Sequence, residues 1–452
     1  MPAVITDRIK KQILEDLFDD IQDSAQTYYI GIGRSEQWNT TDTVQTPSNC
    51  IRCARNARLS LQSIKLAEAG SFATTRTNWT SGSTYSAYDD AAPGIPAQNY
   101  FVLTNANRVY ICLKQGRNSS GAAVPSTVEP TGTDTKPFTT SDGYTWKFLY
   151  TIGISNASNF LTANYMPVRF IDSGEDVDAL SIQQKGIQDS AVVGQITDIR
   201  ITSAGAGYTS KPTVTIVGNG TGASAVATID SSLGQVVNIE MANDSSAFGS
   251  GYDYASVTLS GGGATTQGEA RCVLSTPLGI GGDPRDDLRA NAFIFNSQLS
   301  GTEAGDFLVG QDFRQIVILK NPKLPDSDGL FTASTGLGLK RIRLSAVTSA
   351  FNADDVIIGA TSGAKAYVDA VDADSDILYI HQTEDTGFTK FVNGEVLSES
   401  DGSGSGTIDN LDSADSAGEF DLFSGEILYI DNRAPVERNV GQTEDIKVVL
   451  QL

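Results

Sequence analysis

The chain has 452 residues, 40% of them hydrophobic, with 54 acids against 32 bases for a formal charge of −22. Length and apolar content together predict roughly two to four domains with real cores. The acidic balance excludes broad phosphate-backbone binding, which needs a basic footprint, and it disfavours adsorption to anionic lipid.

His381 is the sole histidine, which removes most metal-dependent, Ser-His and Cys-His chemistry, because such sites need imidazole as base or ligand. Cys50, Cys53, Cys112 and Cys272 in a chain this long point to reduced thiols in a cytoplasm-made protein. No window approaches about eighteen apolar residues and the start lacks a basic-then-apolar leader, so no membrane insertion is expected. Forty-four glycines, with Asn-Gly, Asp-Gly and Gly-Gly pairs, predict short strands and tight turns.

In chain order, Thr6 or Asp7 caps a first helix. Its apolar stripe of Ile9, Ile13, Leu14, Leu17, Phe18 and Ile21 predicts packing on a sheet. Thr27 to Arg34 reads as a strand whose Gly31 and Gly33 allow close backbone approach. It lacks the third glycine and βαβ setting of a dinucleotide loop. A second helix is expected from Ser48 to about Leu66, on the spacing of Ile51, Ala54, Ala57, Leu61 and Ile64. Arg52, Arg55 and Arg58 make it locally basic, either as a solvated face or as a match for an acidic patch on a partner. Cys50-Ile-Arg-Cys53 has the spacing of half a zinc site, but no second half follows, so zinc is not expected.

Strands follow around Asn99–Thr104 and Arg108–Lys114, paired across an Asn-Ala-Asn turn. After Asp142-Gly143, Tyr144, Trp146, Phe148 and Tyr150 alternate with small or polar residues. This predicts a half-buried strand. Four aromatics on one face leave two readings, a core strand or a face that partly meets another subunit.

Two modules repeat internally. Gly194-Gln-Ile-Thr-Asp-Ile-Arg-Ile201 echoes Gly234-Gln-Val-Val-Asn-Ile-Glu-Met241, each followed by a Gly-Tyr pair (Gly207-Tyr208, Gly251-Tyr252) and a short strand. A compact pseudo-symmetric β module over 190–276 is expected. More weakly, Asp355-Val-Ile357 with Ala366 to Asp369 aligns with Glu395-Val-Leu397 and Gly406 to Asp409. Asp369, Asp372, Asp374 and Asp376 lack the central glycine and closing glutamate of a calcium hand and read as a solvated acidic turn.

The fold class expected is mostly β, with an α+β N-terminal part holding two helices, in a multi-domain β-sandwich architecture with two inserted small β modules. The boundaries are 1–189 for the N-terminal core, 190–276 for the first insert, 277–345 for the continued core, 346–410 for the second insert and 411–452 for returning C-terminal strands.

Four stretches carry a resemblance: Tyr28 to Trp38, Ser141 to Ile152, Asp312 to Pro322, and Leu428 to Pro435 with Gln442 to Lys447. In this order the chain resembles the dimeric baseplate wedge subunit of contractile-tailed bacteriophages, over about 1–175, 280–345 and 418–452. The two repeat modules depart from that family's shorter pattern. The resemblance implies a mostly β homodimer that bridges neighbouring baseplate wedge proteins and helps couple baseplate rearrangement to sheath contraction. It implies a place in the virion's tail baseplate, after assembly in the host cytoplasm; the residues themselves, by their acidic charge and single histidine, lead us to expect no nucleic acid partner, no cofactor, no metal and no catalytic residue. Trp38, Trp79, Tyr144, Trp146, Arg433 and Pro435 are candidates for core or interface, since aromatics and arginine are enriched at interface cores. The alternative is a receptor- or glycan-binding virion protein using the inserted modules, with Tyr208 and Tyr252 as exposed aromatics. A glycan-cleaving enzyme using paired carboxylates is a third reading, but acid pairs are too abundant here to select one.

Overall fold

The computed structural model describes residues 3–67, 69–92, 99–175, 177–242, 247–372, 376–411 and 418–452. Strands hold 41% of the chain and helices 12%, which bears out the mostly β reading. Two compact units are formed, one from Met1–Asp16, Ser71–Ile294 and Val449–Leu452, the other from Leu17–Gly70 and Phe295–Val448.

In the first unit the aromatic strand Thr145–Thr151 lies between Arg108–Lys114 and Phe138–Thr139, and Phe101–Leu103 pairs with Arg108–Lys114 across the expected turn. The turn before it is set by Asp142, whose carboxylate accepts the N–H groups of Thr127 at 2.8 Å and Val128 at 3.0 Å, and by Gly143 at φ +84°. The strand is not half-buried. Lys147 and Leu149 are as enclosed as Tyr144, Trp146 and Phe148, so alternation of residue type here marks two packed faces. The helix Ala179–Asp189 packs against it and places Ile187 in the same cluster as Tyr144, Trp146 and Phe148. The residue pattern predicts no element there. A capping box formed by Asp178 and Ser181 starts that helix. Phe72 to Thr75 pair with Tyr165–Val168.

The first repeat module is four two-stranded antiparallel ladders around one apolar cluster. Ile196–Ser203 pairs with Glu269–Leu274, and Ala225–Asp230 with Gln235–Met241, so each repeat's first strand pairs with the other repeat's last. Thr213–Gly218 pairs with Ala255–Ser260. The exchange is reciprocal down to single bonds: Tyr252 N–H donates to Gly194 O at 3.1 Å, and Tyr208 N–H to Gly234 O at 3.0 Å.

In the second unit a five-stranded antiparallel sheet runs Thr335–Leu337, Leu61–Leu66, Tyr28–Gly33, Gln311–Lys320 and Glu426–Arg438. The helix expected over 48–66 stops short: it covers Ile51–Leu59, and Leu61–Leu66 is a strand. Leu61 and Ile64 satisfy helical spacing, but they fill a strand flanked on both sides, where burial of both faces outweighs local propensity. A Cβ at Gly33 would lie 2.4 Å from Ser60 O, which explains that glycine by close approach.

Lys340–Ser349, Val356–Gly359, Lys365–Val371, Ile377–His381, Val396–Glu399 and Ser405–Asn410 close into a barrel filled by Ile342, Leu344, Ile357, Val368, Leu378, Ile380, Leu397 and Ile408. The second repeat is real in its bonds: Val368 N–H donates to Asp355 O at 2.9 Å, and forty residues on Ile408 N–H donates to Glu395 O at 2.9 Å. The first helix, Asp7–Gln22, buries Leu14 and leaves Ile9 and Ile13 54% and 48% exposed, so its stripe is not wholly covered as expected.

Candidate interaction surface

The segment after the strand Tyr28–Gly33 is held in one conformation by buried charge. Arg34 takes φ 65°, a left-handed backbone that a long side chain rarely adopts. From there its guanidinium reaches Glu36 at 3.1 Å and lies 4.2 Å over the ring of Trp38. Arg314, nearly enclosed on the neighbouring strand, grips Asp42 with its Nε at 3.0 Å from both carboxylate oxygens and also donates to Asp312 at 2.6 Å and to Ser35 O. Asp42 in turn accepts the N–H of Trp38 at 3.0 Å. Burial opposes ionisation of Asp42, and the Trp38 N–H and Arg314 overcome it, holding the carboxyl below its usual range.

Behind this segment the barrel contributes its own anchor. His381, at the end of its strand, places Nδ1 2.6 Å from Asp369 and Nε2 3.2 Å from Glu36. Asp369 also accepts Ser35 Oγ at 2.8 Å and Gln62 Nε2 at 3.1 Å. Burial pulls the His381 pKa down, and the two carboxylates more than reverse this, raising it to about 10. Glu36 is pushed up by burial and brought below its ordinary value by His381 and Arg34. The imidazole is a buried cation that fastens barrel to sheet, with Tyr367 stacked on its ring. Asp369 is therefore no part of a solvated acidic turn. Asp372 accepts the N–H of Asp376 in that turn at 3.1 Å, and Asp374 lies outside the described residues.

Trp38 is half-buried and donates its Nε1–H to Arg433 O at 2.9 Å. Arg433, Ala434 and Pro435 form a bulge on the edge strand Glu426–Arg438, opposite Arg314, where the register slips between Phe313 and Gln315. Pro435 is exposed there, and an edge position costs a proline no ladder hydrogen bond. Arg433 is paired with Asp431, its side chain 41% exposed. The structure thus unites Trp38, Arg433 and Pro435 into one surface feature. Arg52 and Arg55 stand apart on the exposed side of the helix Ile51–Leu59, Arg52 pairing with Glu384. Arg58 turns inward to the carbonyls of Leu422, Ser424 and Gly425.

Tyr144 and Trp146 are fully enclosed, stacked on one another with ring centroids 5.7 Å apart, and so serve the core rather than an interface. Trp79 caps their cluster from its rim, donating Nε1–H to Ser126 Oγ at 3.2 Å. Tyr208 and Tyr252, expected to be exposed, are 2% and 7% exposed. Gly262 and Gly220 make the room, since a Cβ there would come within 2.7 Å of the Tyr208 ring and 2.4 Å of the Tyr252 ring.

The carboxylates of Asp355, Glu399 and Asp401 lie within 4.8 Å of one another, where Glu399 accepts the Asn352 N–H and the Ser403 hydroxyl within the barrel turns. The cysteine expectation also changes: Cys50 and Cys53 are joined in a disulfide, while Cys112 and Cys272 remain buried thiols.

Sequence reading missed the His381–Asp369–Glu36 network because Asp369 sits where the register shifts between Val368 and Ala370, out of phase with its strand. Neither a protein-family model nor a curated protein matches this chain.

Proposed function

We propose that this chain is a structural subunit of a phage tail baseplate wedge, a homodimer that bridges neighbouring wedge proteins and helps couple baseplate rearrangement to sheath contraction. One observation carries the reading. Of the four stretches that bear the resemblance, those around Tyr28, Asp312 and Leu428 are nearly three hundred and just over one hundred residues apart, yet they become adjacent strands of a single sheet. Scattered likeness that converges on one structural element supports common architecture better than any one motif does.

The chemistry agrees with a role in assembly. His381 and Arg314 are enclosed and bound to carboxylates. The Trp38–Arg433–Pro435 feature is hydrogen-bonded together and partly open, which suits recognition of a neighbouring protein. The glycan-binding alternative loses the two tyrosines that motivated it.

Sedimentation of the purified chain across concentration tests the dimer, and a monomer at every concentration would refute that part. Imaging of intact tails at subunit resolution tests the placement. Density for this chain around the hub is expected, and finished particles without it would overturn the assignment.

A further inference from the structure

Cys50 and Cys53 occupy the start of the helix Ile51–Leu59 in an arrangement that a merely structural bridge does not require. Cys50 is the N-cap residue, extended at φ −125° and ψ 149°, and its Sγ accepts the N–H of Cys53 at 3.1 Å. The helix has nine residues and no acid in its first turn, and the exposed Arg52 and Arg55 follow at once, with Glu384 the anion paired to Arg52. A sulfur in this position faces the positive end of the helix dipole and a donated N–H, both of which favour thiolate over thiol. It is also open: Cys50 is exposed and Cys53 half-buried. The other two cysteines show the opposite setting. Burial pushes the Cys272 thiol up to about 11 and Cys112 higher still, which disfavours the thiolate in both.

We propose that Cys50 and Cys53 form a reversible dithiol–disulfide couple that exchanges with low-molecular-weight disulfides of the glutathione class. In the oxidative direction the Cys50 thiolate attacks one sulfur of glutathione disulfide, forming a mixed disulfide and releasing one glutathione thiolate. The Cys53 thiolate then attacks the Cys50 sulfur, closes the Cys50–Cys53 bond and releases the second glutathione. The dithiol loses two electrons, the disulfide gains them, and the two protons of the dithiol pass to the departing thiolates. Reduction runs the same steps backward. Cys50 is the attacking residue because it is the exposed one, and Cys53 resolves. The proposal is independent of the baseplate reading.

Full-length chain equilibrated at pH 7 in buffers of graded reduced-to-oxidised glutathione, quenched in acid, unfolded and labelled with a maleimide polymer, reports the couple directly. The labelled thiols are expected to pass from two to four within the range of those buffers, because Cys112 and Cys272 label throughout. A count that stays fixed across the range would overturn the proposal. Cys53→Ser isolates the attacking thiol, with the double variant Cys50→Ser, Cys53→Ser as the blank; serine is itself a good N-cap, so the helix keeps its start. Thiolate absorbance against pH should place Cys50 at least about one unit under the ordinary 8.5. The same variant should take up one glutathione by mass. A Cys50 that titrates at about 8.5 or above, or that takes up none, would equally defeat it.

Discussion

Two regions of this chain repeat every forty residues, yet one closes into a barrel and the other stays as four separate ladders. In the barrel, alternate side chains such as Ala366 and Val368 or Ile380 and Leu378 turn into a shared apolar interior. Strands of the ladder module, Thr213–Gly218 for example, leave every second residue exposed and the rest only partly covered. Its centre depends on two enclosed tyrosines and on glycines in left-handed backbone. The fastening differs as well. A buried imidazolium ties the barrel down, whereas Arg271 to Asp89 and Asp90, with Lys114 to Glu240, tie the ladder module down through ion pairs in partial contact with water. A repeat of one length therefore does not dictate one closure; the supply of inward apolar side chains does.

The largest effect expected from breaking this contrast is at His381. His381→Leu leaves Asp369 enclosed without its cation and Glu36 with Arg34 alone, and should cost about 3–5 kcal/mol in denaturant unfolding. Wild type should show the pH signature of the same contact. The folded pKa of about 10 exceeds the ordinary 6.5, so the contribution is complete below about 6.5, declines as pH rises and is lost above about 10. The gap between wild type and variant should therefore narrow in alkali, and a gap constant from pH 6 to 10 would sink the account.

Next come the glycines that open the two repeats of the ladder module. Gly194 and Gly234 take φ +65° and +61°, so alanine at either should cost about 1–2 kcal/mol from backbone strain. Only at Gly194 would the new Cβ also strike backbone, lying 2.5 Å from Tyr252 N, against 3.3 Å for the nearest atom at Gly234. Gly194→Ala should thus be clearly the more damaging of a pair that repeat symmetry alone would make equal.

That asymmetry shows where the sequence stops being legible. The repeat itself was readable, because like residues recur at a fixed spacing and a strand period survives partial burial. The aromatic strand is legible from its alternation, but its second face is not, since Lys147 reads as exposed and is in fact enclosed, its pKa pulled by burial down to about 8. Tyr208 and Tyr252 sit in glycine-rich loops, which read as open surface; the missing Cβ atoms are what let the rings sink inward. Leu61 and Ile64 fit helical spacing until pairing with two flanking strands overrules it. Of the surface candidates, Trp38 and Arg433 lie almost four hundred residues apart, and no local pattern signals that one donates to the other.

The two tyrosines give a smaller and sharper test. Tyr208 Oη receives the buried N–H of Gly268 at 2.8 Å and donates to Gln267 at 2.9 Å, whereas among the described residues Tyr252 Oη receives only a long contact from Ala223 N–H at 3.4 Å. Tyr208→Phe strands a buried donor and should cost about 1–3 kcal/mol, while Tyr252→Phe should cost under about 1 kcal/mol. Equal losses would mean that packing of the rings, not their hydroxyls, sets the stability of both sites.

The smallest effect belongs to the ladder module's charged fastening. Arg271 donates to both carboxylate oxygens of Asp89 at 2.6 Å and to Asp90 at 3.0 Å, with its side chain 34% exposed. Burial lowers the Arg271 pKa and burial raises that of Asp89, but the pairing reverses both shifts, so the bond is intact at neutral pH. Water reaches the pair, and screening there is strong; Arg271→Gln should cost only about 1 kcal/mol at low ionic strength. In about 1 M salt, where the screening length falls to about 3 Å, most of that difference should vanish. The His381 contact, enclosed on every side, should keep its value under the same salt. Opposite behaviour, with the barrel weakened by salt and the ladder module indifferent, would show that the division between buried and exposed fastening has been drawn the wrong way round.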